Sequence, residues 1–497
     1  MKRLVRMILS RTTVILLLLL LQIAVFFLLL HYLSKFTYVH TIFYIISDLI
    51  VVYLIYKEEN PIYKLSWIVP ILIFPLFGGL FYLFYRNRNV SKKVLNHYHK
   101  SEIERFDYLK QYQKDISYTN RIPTYLHQNG WMAYDQSYST FLGSGKKMFE
   151  SMKLEISKAK KYIFLEFFVI KKGQMWDELL KLLKLKAKEG IDIYLIYDDF
   201  GSSSLPQNYT KILASYGIKA FAFNPMRIHL NFAMNYRDHR KIVIIDGKIC
   251  FTGGINIGDE YINLTSPYGH WMDAGIKFEG GSVTSLVINF INTLKFMHQV
   301  HLHIDDFVVK DFDVAEKQGI LIPFSDAPID QEEINKNMYL SMISQAQKEI
   351  CITTPYLIID NELKTALQLA ARSGVKVNII IPYIPDKKLV FYVTETYAKD
   401  LAKFGVNIYR YTPGFIHSKL IIVDQKIAMI GTANLDFRSL YLHFENSVYL
   451  ENLDTIKNMN VWFNEQLKES TLATDLKNRN IFIRILSVIL RGFSSIM

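Results

Sequence analysis

The order of apolar and polar positions along the chain predicts two kinds of structure. Residues 13–33, 38–56 and 65–85 form three long, nearly uninterrupted apolar stretches, and a helix of about 20 apolar residues is long enough to cross a bilayer. In the remainder, short apolar runs typical of strands alternate with segments such as 176–188 and 361–373, where Leu and Ala recur at helical spacing. The pattern therefore predicts an apolar N-terminal region followed by an α/β region.

The three apolar stretches predict a membrane anchor over residues 1–90, which a linker over 91–130 joins to the rest. Basic residues precede the first stretch and follow the third, so both flanks are expected in the cytoplasm. Three complete spans would place these flanks on opposite sides. Since the third stretch contains Pro70, Pro75 and the pair Gly78-Gly79, we expect two complete spans, one broken or re-entrant segment and a cytoplasmic α/β region. Burial of all three stretches in a soluble core is the alternative.

The α/β region is an internal repeat. Strand-like segments recur in the same order in both halves, at 161–166, 190–197 and 216–225 and then at 348–353, 374–381 and 404–413. Because strands and helices alternate, we predict two pseudo-symmetric α/β lobes with mostly parallel sheets, over residues 131–320 and 321–475. Ten further residues in the first half, 226–235, predict either a loop that gates a substrate or a plain surface loop.

Each half carries the same polar motif at an apolar strand: His-x-Lys-x-x-x-x-Asp, followed by Gly-Gly/Thr-x-Asn. A match to the His-Lys-Asp part arises by chance about 0.05 times in a chain of this length, so two copies in equivalent places indicate function. Residues two apart on a strand share a face, so each histidine points the same way as its lysine. The motif residues are His239, Lys241, Asp246 and Asn256 in the first half and His417, Lys419, Asp424 and Asn434 in the second.

These residue types suit phosphoryl chemistry. A histidine can act as a nucleophile or carry a proton, and lysine and asparagine side chains bind phosphate oxygens. A pseudo-twofold arrangement of the lobes would bring the two histidines into one active site. A histidine also needs a carboxylate or carbonyl on its second nitrogen to fix its tautomer. Asp273 and Glu445, which follow the two histidines along the chain, are the candidates for that role, with exposed surface acids as the alternative.

The charge and the cysteines narrow the class of protein. A net charge of +12 points to a polyanionic partner, either nucleic acid or an anionic membrane surface, and the apolar N-terminus favours the membrane. Cys250 and Cys351 each lie in an apolar strand-like run, so we expect buried thiols and no disulfide framework. No cluster of His, Asp and Glu with metal-ligand spacing is apparent in the sequence, and no metal is expected.

The C-terminal segment, residues 476–497, alternates large apolar residues with Arg484 and Arg491. This pattern predicts an amphipathic helix. Such a helix either lies on a bilayer interface or packs on the α/β region.

The paired motif resembles the signature of the phospholipase D superfamily. Within it, the apolar N-terminus with Asn60-Pro61 and the segments 64–67, 235–241 and 431–439 resemble bacterial cardiolipin synthases over nearly the whole chain. The first leucine-rich stretch departs from that family, which more usually has a pair of N-terminal spans. The departure affects the expected topology and not the expected chemistry.

The resemblance implies a multi-pass enzyme of the bacterial cell membrane that joins two phosphatidylglycerols into cardiolipin and releases glycerol. It implies no nucleotide, metal or other cofactor, an anionic phospholipid as the partner, and no nucleic acid; a homo-oligomer is compatible with it. By analogy with the family, His239 is the nucleophile that forms a phosphohistidine, and His417 is the acid and base. The residues themselves do not distinguish these two roles.

The resemblance also implies roles for the other motif residues. Lys241, Lys419, Asn256 and Asn434 are expected to hold the non-bridging phosphate oxygens, and Asp246 and Asp424 to secure the motif strands or the lysines. Four other functions use the same features: a membrane-anchored phospholipase D, a phosphatidyltransferase with another acceptor alcohol, a nuclease of the superfamily, and an inactive membrane scaffold. The membrane stretches disfavour the nuclease, and the intact motifs disfavour the scaffold.

Overall fold

The computed structural model describes residues 37–58, 61–75, 92–111, 120–225, 236–310, 319–329, 332–473 and 480–494, with isolated positions at 24, 27, 28, 32, 78, 79, 82, 83 and 312. The described residues form two compact units, one mainly before residue 90 and one that spans 92–491. The ten residues 226–235, for which a gating loop was considered, lie outside the described residues.

The first unit contains helix α1 (Thr37–Tyr56) and helix α2 (Pro61–Ile73), which has Pro70 in its interior. The two helices pack through a small apolar cluster that includes Leu54, Trp67 and Ile71. Helix α1 coincides with the second predicted apolar stretch, whereas α2 covers only the first part of the third. Among the helices that the structure describes, none has the combined length and hydropathy needed to cross a bilayer. Most of the stretch 13–33 lies outside the described residues, so the membrane anchor stays a prediction.

The second unit begins with two helices where a linker was predicted. Helix α3 (Lys92–Lys110) and helix α4 (Arg121–Gln128) precede the first sheet. Tyr98 and Leu109 on α3 belong to the main hydrophobic core. Arg105 donates a hydrogen bond to the carbonyl of Gly130 and lies 3.6 Å from the ring centroid of Trp131. The prediction of a linker was wrong because the apolar residues of α3 are few and spaced by a helical period within a polar sequence.

The first lobe contains a seven-stranded sheet in the order β1-β9-β7-β6-β2-β3-β4. Only β2, β3 and β4 run parallel to one another; the other neighbouring pairs are antiparallel. The strands of this half are β1 (Ser137–Leu142), β2 (Tyr162–Phe167), β3 (Asp192–Asp198), β4 (Ile218–Phe223), β5 (Arg237–Asp238), β6 (Lys241–Ile245), β7 (Ile249–Gly253), β8 (His270–Met272) and β9 (Gly275–Gly280).

The second lobe repeats this sheet. Its order is β10-β19-β17-β16-β11-β13-β14-β20, with β5 of the first half also paired to β19. Each strand of the first sheet thus has a counterpart in the same place, and β20 is an addition at the edge. The strands are β10 (Ile320–Asp326), β11 (Glu349–Thr353), β12 (Leu357–Ile358), β13 (Lys376–Pro382), β14 (Asn407–Tyr411), β15 (Gly414–Ile416), β16 (Leu420–Val423), β17 (Ile427–Gly431), β18 (Leu435–Asp436), β19 (His443–Glu451) and β20 (Ser470–Leu472).

The two lobes and their pseudo-symmetry match the prediction, but mostly parallel sheets do not. Each motif strand, β6 or β16, reverses through a tight turn into an antiparallel neighbour. Asp246 and Gly247 in one turn, and Asp424 and Gln425 in the other, have positive φ values between 52° and 68°. Successive residues of this left-handed kind are typical of turns that join antiparallel strands. Parallel pairing therefore joins only three strands of each sheet, β2-β3-β4 and β11-β13-β14, and the sheets are mixed.

The helices pack against these sheets, and α8 is buried along almost its whole length. Both predicted helical segments, 176–188 and 361–373, are confirmed by α6 and α10. The remaining helices are α5 (Gly145–Ser157), α6 (Gln174–Lys188), α7 (Tyr209–Ala214), α8 (Val283–His298), α9 (Ile334–Gln345), α10 (Asn361–Arg372), α11 (Lys388–Ala402), α12 (Phe437–Tyr441), α13 (Asp454–Lys468) and α14 (Ile481–Gly492), with 3₁₀ turns at Asp259–Ile262 and Ile304–Asp306.

The motif strand β6 contributes to two cores because its side chains alternate between the faces of the sheet. Ile242 and Ile244 join the core that is shared by both lobes and by α8, whereas Val243 and Ile245 face the core on the other side. A strand that is buried on both faces has a continuous apolar run, as the sequence of β6 does. Both cysteines are buried free thiols, as predicted.

Helix α14 lies within the segment for which a C-terminal amphipathic helix was predicted. Ile481, Phe482 and Val488 are 58%, 76% and 68% exposed. Arg491 forms an ion pair of 2.7 Å with Asp400 on α11. One end of the helix is therefore held by α11, and much of its apolar face stays exposed.

Candidate active site

Two short strand pairs cross between the lobes and carry the motif histidines. Strand β5 pairs in parallel with the start of β19, and β8 pairs in parallel with β15. The ladders continue into the histidines: His239 N–H donates to the carbonyl of Phe444 at 2.9 Å, and His417 N–H donates to that of Met272 at 2.7 Å. Each histidine therefore follows a strand that is bonded to the opposite lobe.

This crossing exchanges the carboxylate partners of the histidines. Nδ1 of His239 lies 2.9 and 3.0 Å from the two carboxylate oxygens of Glu445. Nδ1 of His417 lies 2.7 Å from Oδ2 of Asp273. Both acids were candidates for orienting a histidine, and each contacts the histidine of the other half of the repeat. Neither of these acids is an exposed surface residue, since both are fully buried.

The carboxylates are held as anions. Burial by itself raises the pKa of Glu445 and of Asp273, but their contacts with His239 and His417 outweigh this effect and lower both pKa values. Further donors hold the acids: the hydroxyl of Thr432 donates to Glu445, and Ala274 N–H donates to Asp273 at 2.9 Å. A carboxylate on Nδ1 favours the tautomer with the proton on that nitrogen, and leaves the lone pair on Nε2.

The histidines are neutral in this environment. Burial lowers the pKa of His239 well below its ordinary value, and the charge of Lys241 adds to this effect. Burial and the charge of Lys419 lower the pKa of His417 to about 4. A bound anion would offset the lysine charges and raise the pKa values of both imidazoles.

The two motif lysines are buried, and their charges interact. Nζ of Lys241 donates to the carbonyl of His239, and Nζ of Lys419 donates to that of His417. Burial lowers the pKa of Lys241 to about 7 and that of Lys419 to about 8. The charge of Lys419 also lowers the pKa of Lys241, and that of Lys241 lowers the pKa of His417. The two motifs therefore form one electrostatically coupled site that would gain from an anion.

The two motif asparagines have different contacts. Asn256 accepts a hydrogen bond from Val169 N–H at 3.0 Å and donates one to the hydroxyl of Tyr261 at 2.9 Å. Asn434 donates to Asp436 at 3.1 Å, and its own Oδ1 is buried without a hydrogen-bond partner in the described part of the chain. An amide nitrogen has two hydrogens, so each asparagine retains one donor beyond these contacts.

Asp246 and Asp424 lie at the far end of the motif strands. The carboxylate of Asp246 accepts three backbone hydrogen bonds of 2.7–3.0 Å from residues 160–162, just before β2. Asp424 accepts three of 2.8 Å from residues 347–349, just before β11. Four residues of strand lie between each aspartate and its lysine, which places the two about 16 Å apart. These contacts hold two neighbouring strands together and involve no other motif side chain.

One buried charge network near the site was missed from the sequence. Arg240, between the motif histidine and lysine, forms ion pairs of 2.8 Å with Asp238 and with Glu166. At the equivalent place in the second half, Ser418 donates to Thr353 at 2.8 Å. The sequence contained a sign of this network, because an arginine at the start of a buried strand needs buried acidic partners. The two halves therefore differ at the residue after the histidine, which is a charged Arg240 in the first half and a neutral Ser418 in the second.

Aromatic rings pack around both histidines, which the motifs alone do not predict. The ring centroid of His417 lies 5.1 Å from that of Trp271 and 5.6 Å from that of Tyr261. The ring centroid of His239 lies 5.0 Å from Phe168 and 5.4 Å from His443. This packing removes water from the flanks of the imidazoles and strengthens the electrostatic interactions in the site.

Among the described residues, one group has donor atoms close enough to consider a metal ion: His239, His443 and Glu445, within 4.8 Å of one another. The carboxylate of Glu445 already accepts hydrogen bonds from His239 and Thr432. The ammonium of Lys241, which interacts electrostatically with Glu445 and His239, adds positive charge. We therefore interpret the group as a hydrogen-bonded pair of His239 and Glu445 beside which His443 packs.

The chain is similar to several known proteins. A family model described as "Cardiolipin synthase, PLD-like domain" matches residues 152–266 and 339–467, and one described as "Phospholipase_D-nuclease N-terminal" matches residues 42–87. A cardiolipin synthase of a Geobacillus species is 33% identical over 89% of this chain and 90% of its own length. An uncharacterized protein of Streptococcus mutans is 37% identical over 89% of this chain and 98% of its own. The crystal structure of a phosphatidylserine synthase from Haemophilus influenzae superposes with a TM-score of 0.57 at 16% identity, over 72% of this chain and 93% of that one, which shows a shared fold.

Proposed function

Because the chain belongs to the cardiolipin synthase family of phospholipase D-like proteins, we propose that it transfers a phosphatidyl group from one phosphatidylglycerol to another, which yields cardiolipin and glycerol. One observation carries the proposed chemistry: two buried histidines are each held on Nδ1 by a carboxylate from the opposite lobe, and the charges of two buried lysines act on them. This arrangement presents two Nε2 atoms to one phosphodiester.

The first step forms a phosphohistidine. Nε2 of neutral His239 attacks phosphorus, and a P–N bond forms as the P–O bond to glycerol breaks. His417, protonated in the presence of the anionic lipid, gives its proton to the leaving glycerol oxygen. Glu445 stabilises the positive charge that develops on the ring of His239.

The second step uses the same groups in reverse. The headgroup hydroxyl of a second phosphatidylglycerol gives its proton to Nε2 of His417 and attacks phosphorus. A new P–O bond forms, the P–N bond breaks, and His239 returns to its neutral form. Protons and charges balance over the cycle, and no metal or nucleotide takes part in the proposal.

Lys241 and Lys419 take the role of stabilising the non-bridging oxygens, whose negative charge changes most in the transition state. Their lowered pKa values reflect a site that is crowded with positive charge before the lipid binds. The second hydrogen of each amide at Asn256 and Asn434 is assigned to the same oxygens. Asp246 and Asp424 are assigned a structural role, because their carboxylates are occupied by backbone amides.

The substrate places the enzyme at a membrane. We propose that the N-terminal apolar stretches anchor it as a multi-pass protein of the bacterial cell membrane, with the α/β region on the cytoplasmic side. The exposed apolar face of α14 supports contact with the bilayer interface, since a helix with such a face lowers its free energy by inserting among lipid headgroups.

A phospholipase D, or a transferase with another acceptor alcohol, uses the same first step. The aromatic packing around both histidines favours a lipid alcohol over water, because it limits access of solvent to the phosphohistidine.

Expression in a host that lacks cardiolipin tests the proposal. We expect the wild-type chain to restore cardiolipin, and His239→Ala or His417→Ala to lower its formation by about 10⁴-fold or more, since both groups form and break covalent bonds or transfer protons. The measurement is quantitative lipid analysis by mass spectrometry. Asp454→Ala, at an exposed and distant position, serves as the matched control, and equal amounts of each protein in the membrane fraction exclude misfolding. Phosphatidic acid or another phosphatidyl lipid in place of cardiolipin would contradict the proposed acceptor.

A further inference from the structure

The two acids that hold the motif histidines have different neighbours at the same position of the repeat. Two residues before Asp273 lies Trp271, and two residues before Glu445 lies His443. Each of these rings packs on the histidine of the opposite half, at centroid distances of 5.1 Å for Trp271 and 5.4 Å for His443. The repeat therefore places an indole beside one catalytic histidine and an imidazole beside the other.

His443 is buried and has unused hydrogen-bonding capacity. It is 9% exposed, and neither of its ring nitrogens makes a hydrogen bond within the described part of the chain. A buried polar group without a partner destabilises the folded state. Packing alone does not account for an imidazole here, since a tryptophan fills the equivalent place in the first half.

The nearest acceptor for His443 is the carboxylate that holds His239. Residues two apart on a strand share a face, and Nδ1 of His443 lies 3.7 Å from Oε1 of Glu445. The same oxygen lies 2.9 Å from Nδ1 of His239. A movement of about 0.8 Å would bring the His443 contact to hydrogen-bond length, so one carboxylate oxygen is within reach of both imidazoles.

We propose that His443 is a positioning residue that shares the Glu445 carboxylate with His239 and thereby keeps His239 in the neutral form that attacks phosphorus. A carboxylate that is held by a second N–H donor stabilises an imidazolium less strongly. At the equivalent place Trp271 does not titrate, and the Asp273 carboxylate is left to His417. The difference assigns a neutral nucleophile to one half and a proton carrier to the other, and this assignment rests on the proposed function.

The groups around His239 and His443 also affect the pKa values of these two histidines. His443 lowers the pKa of His239, as does the ammonium of Lys241, whereas Glu445 raises it. His443 is itself subject to burial, which lowers its pKa, to Glu445 and Asp436, which raise it, and to Arg438, which lowers it. His443 and His239 both lower the pKa of Glu445. Environments that drive the pKa values of two similar groups apart are how one site obtains both an acid and a base.

The test is the pH profile of kcat/KM for the full-length protein in phosphatidylglycerol vesicles. Its acid limb reports the group that must be neutral in the free enzyme, which is His239. In His443→Phe, a ring of similar size without N–H groups, we expect the acid limb to move to higher pH by about half a unit to one unit, as expected for a stronger interaction with one nearby charge. The basic limb should not move.

His443→Asn is the matched variant, because its amide keeps an N–H donor toward Glu445, and we expect it to retain the wild-type acid limb. A uniform loss of rate in both variants, without a shift of the limb, would mean that His443 only fills space and would overturn the inference. A shift of the basic limb in its place would also overturn it, since His239 would then be the proton donor.

A second substrate separates this inference from the proposed function. The same profiles are measured with bis(4-nitrophenyl) phosphate, which requires no lipid acceptor. If phosphatidylglycerol gives no cardiolipin but the acid limb with this diester still moves in His443→Phe, the proposed lipid acceptor is wrong and the role of His443 stands. An unmoved limb with both substrates overturns the role of His443 whatever lipid is formed.

Discussion

At the scale of single residues, the protonation of each motif histidine depends on an acid from the other half of the repeat. Glu445 contacts His239, and Asp273 contacts His417, at distances of 2.7–3.0 Å. The two acids are buried, so each imidazole has a strong and directional partner in a medium of low polarity. Substitution of one acid should therefore slow the reaction step that depends on the histidine of the opposite lobe.

The dependence of the reaction rates on the leaving group tests the roles that are assigned to the two crossed pairs. Asp273→Asn should slow transfer from phosphatidylglycerol by roughly 10²–10⁴-fold, because glycerol must be protonated as it leaves. The same variant should keep most of its rate of phosphohistidine formation with bis(4-nitrophenyl) phosphate, whose leaving group needs no proton. Glu445→Gln should slow phosphohistidine formation with both substrates, because His239 attacks in each case. Single-turnover kinetics with the two diesters make the comparison, and the reverse pattern would mean that His417 is the nucleophile and His239 the proton donor.

At the scale of secondary-structure elements, the motif aspartates join the strands that carry the site. Asp246 and Asp424 occupy left-handed positions with φ values of 53° and 52°, and their carboxylates bind the backbone that enters β2 and β11. The aspartate of each motif therefore fixes the backbone at one end of the strand, whereas the histidine and lysine at the other end form the proposed active site. A strand that is fixed at its turn holds its histidine and lysine at a constant height in the sheet.

Stability measurements distinguish these two ends of the motif. Asp246→Asn and Asp424→Asn keep a residue that tolerates positive φ but replace one carboxylate oxygen by an N–H group that faces backbone donors. We expect each to lower the free energy of unfolding by about 1–3 kcal/mol, with kcat changed by less than tenfold at temperatures where the variant is folded. Glu150→Gln on the exposed face of α5 is the control. A loss of kcat comparable to that of a histidine variant, without a loss of stability, would assign the aspartates to catalysis.

At the scale of the whole molecule, the lobes share one core and several buried groups that ionise on unfolding. Helix α8 lies within that core, and His298 is located at its C-terminal end. Burial lowers the pKa of His298 to about 4. An unfolded histidine has a pKa of about 6.5, so between these values the unfolded chain binds more protons at this residue than the folded one. The stabilising contribution is present above about pH 6.5 and is lost as the pH falls towards 4.

The substitution His298→Leu removes this titration from a position outside the active site. We therefore expect the wild-type protein to lose more stability than His298→Leu when the pH is lowered from 7.5 to 5. Urea unfolding in detergent, followed by fluorescence at both pH values, measures the difference. An equal pH dependence in the two proteins would show that His298 titrates normally in the folded state. His127→Leu, at a histidine for which no such role is proposed, is a suitable comparison.

The sequence by itself determined the repeat, the strands and the chemical groups, because these follow from local periodicity. The apolar run of β6 and the helical spacing of α6 reflect which faces of each element are buried. Such a pattern is recognisable in consecutive residues of the sequence. The same holds for the histidines and lysines of the motifs, whose spacing places them on one face of a strand. Even so, the polar turn at Asp246 reversed the next strand and made the sheets mixed.

Only the tertiary structure decided which acid serves which histidine and what surrounds each ring. The crossing of β5 onto β19 and of β8 onto β15 joins residues about 150 to 200 positions apart, and no local pattern specifies such pairs. The contact of His443 with Glu445 and His239 depends on that crossing, as does the contact of Trp271 with His417. The residue types of the site are therefore a property of the sequence, whereas the pairing of each histidine with an acid of the other half arises from long-range strand pairing.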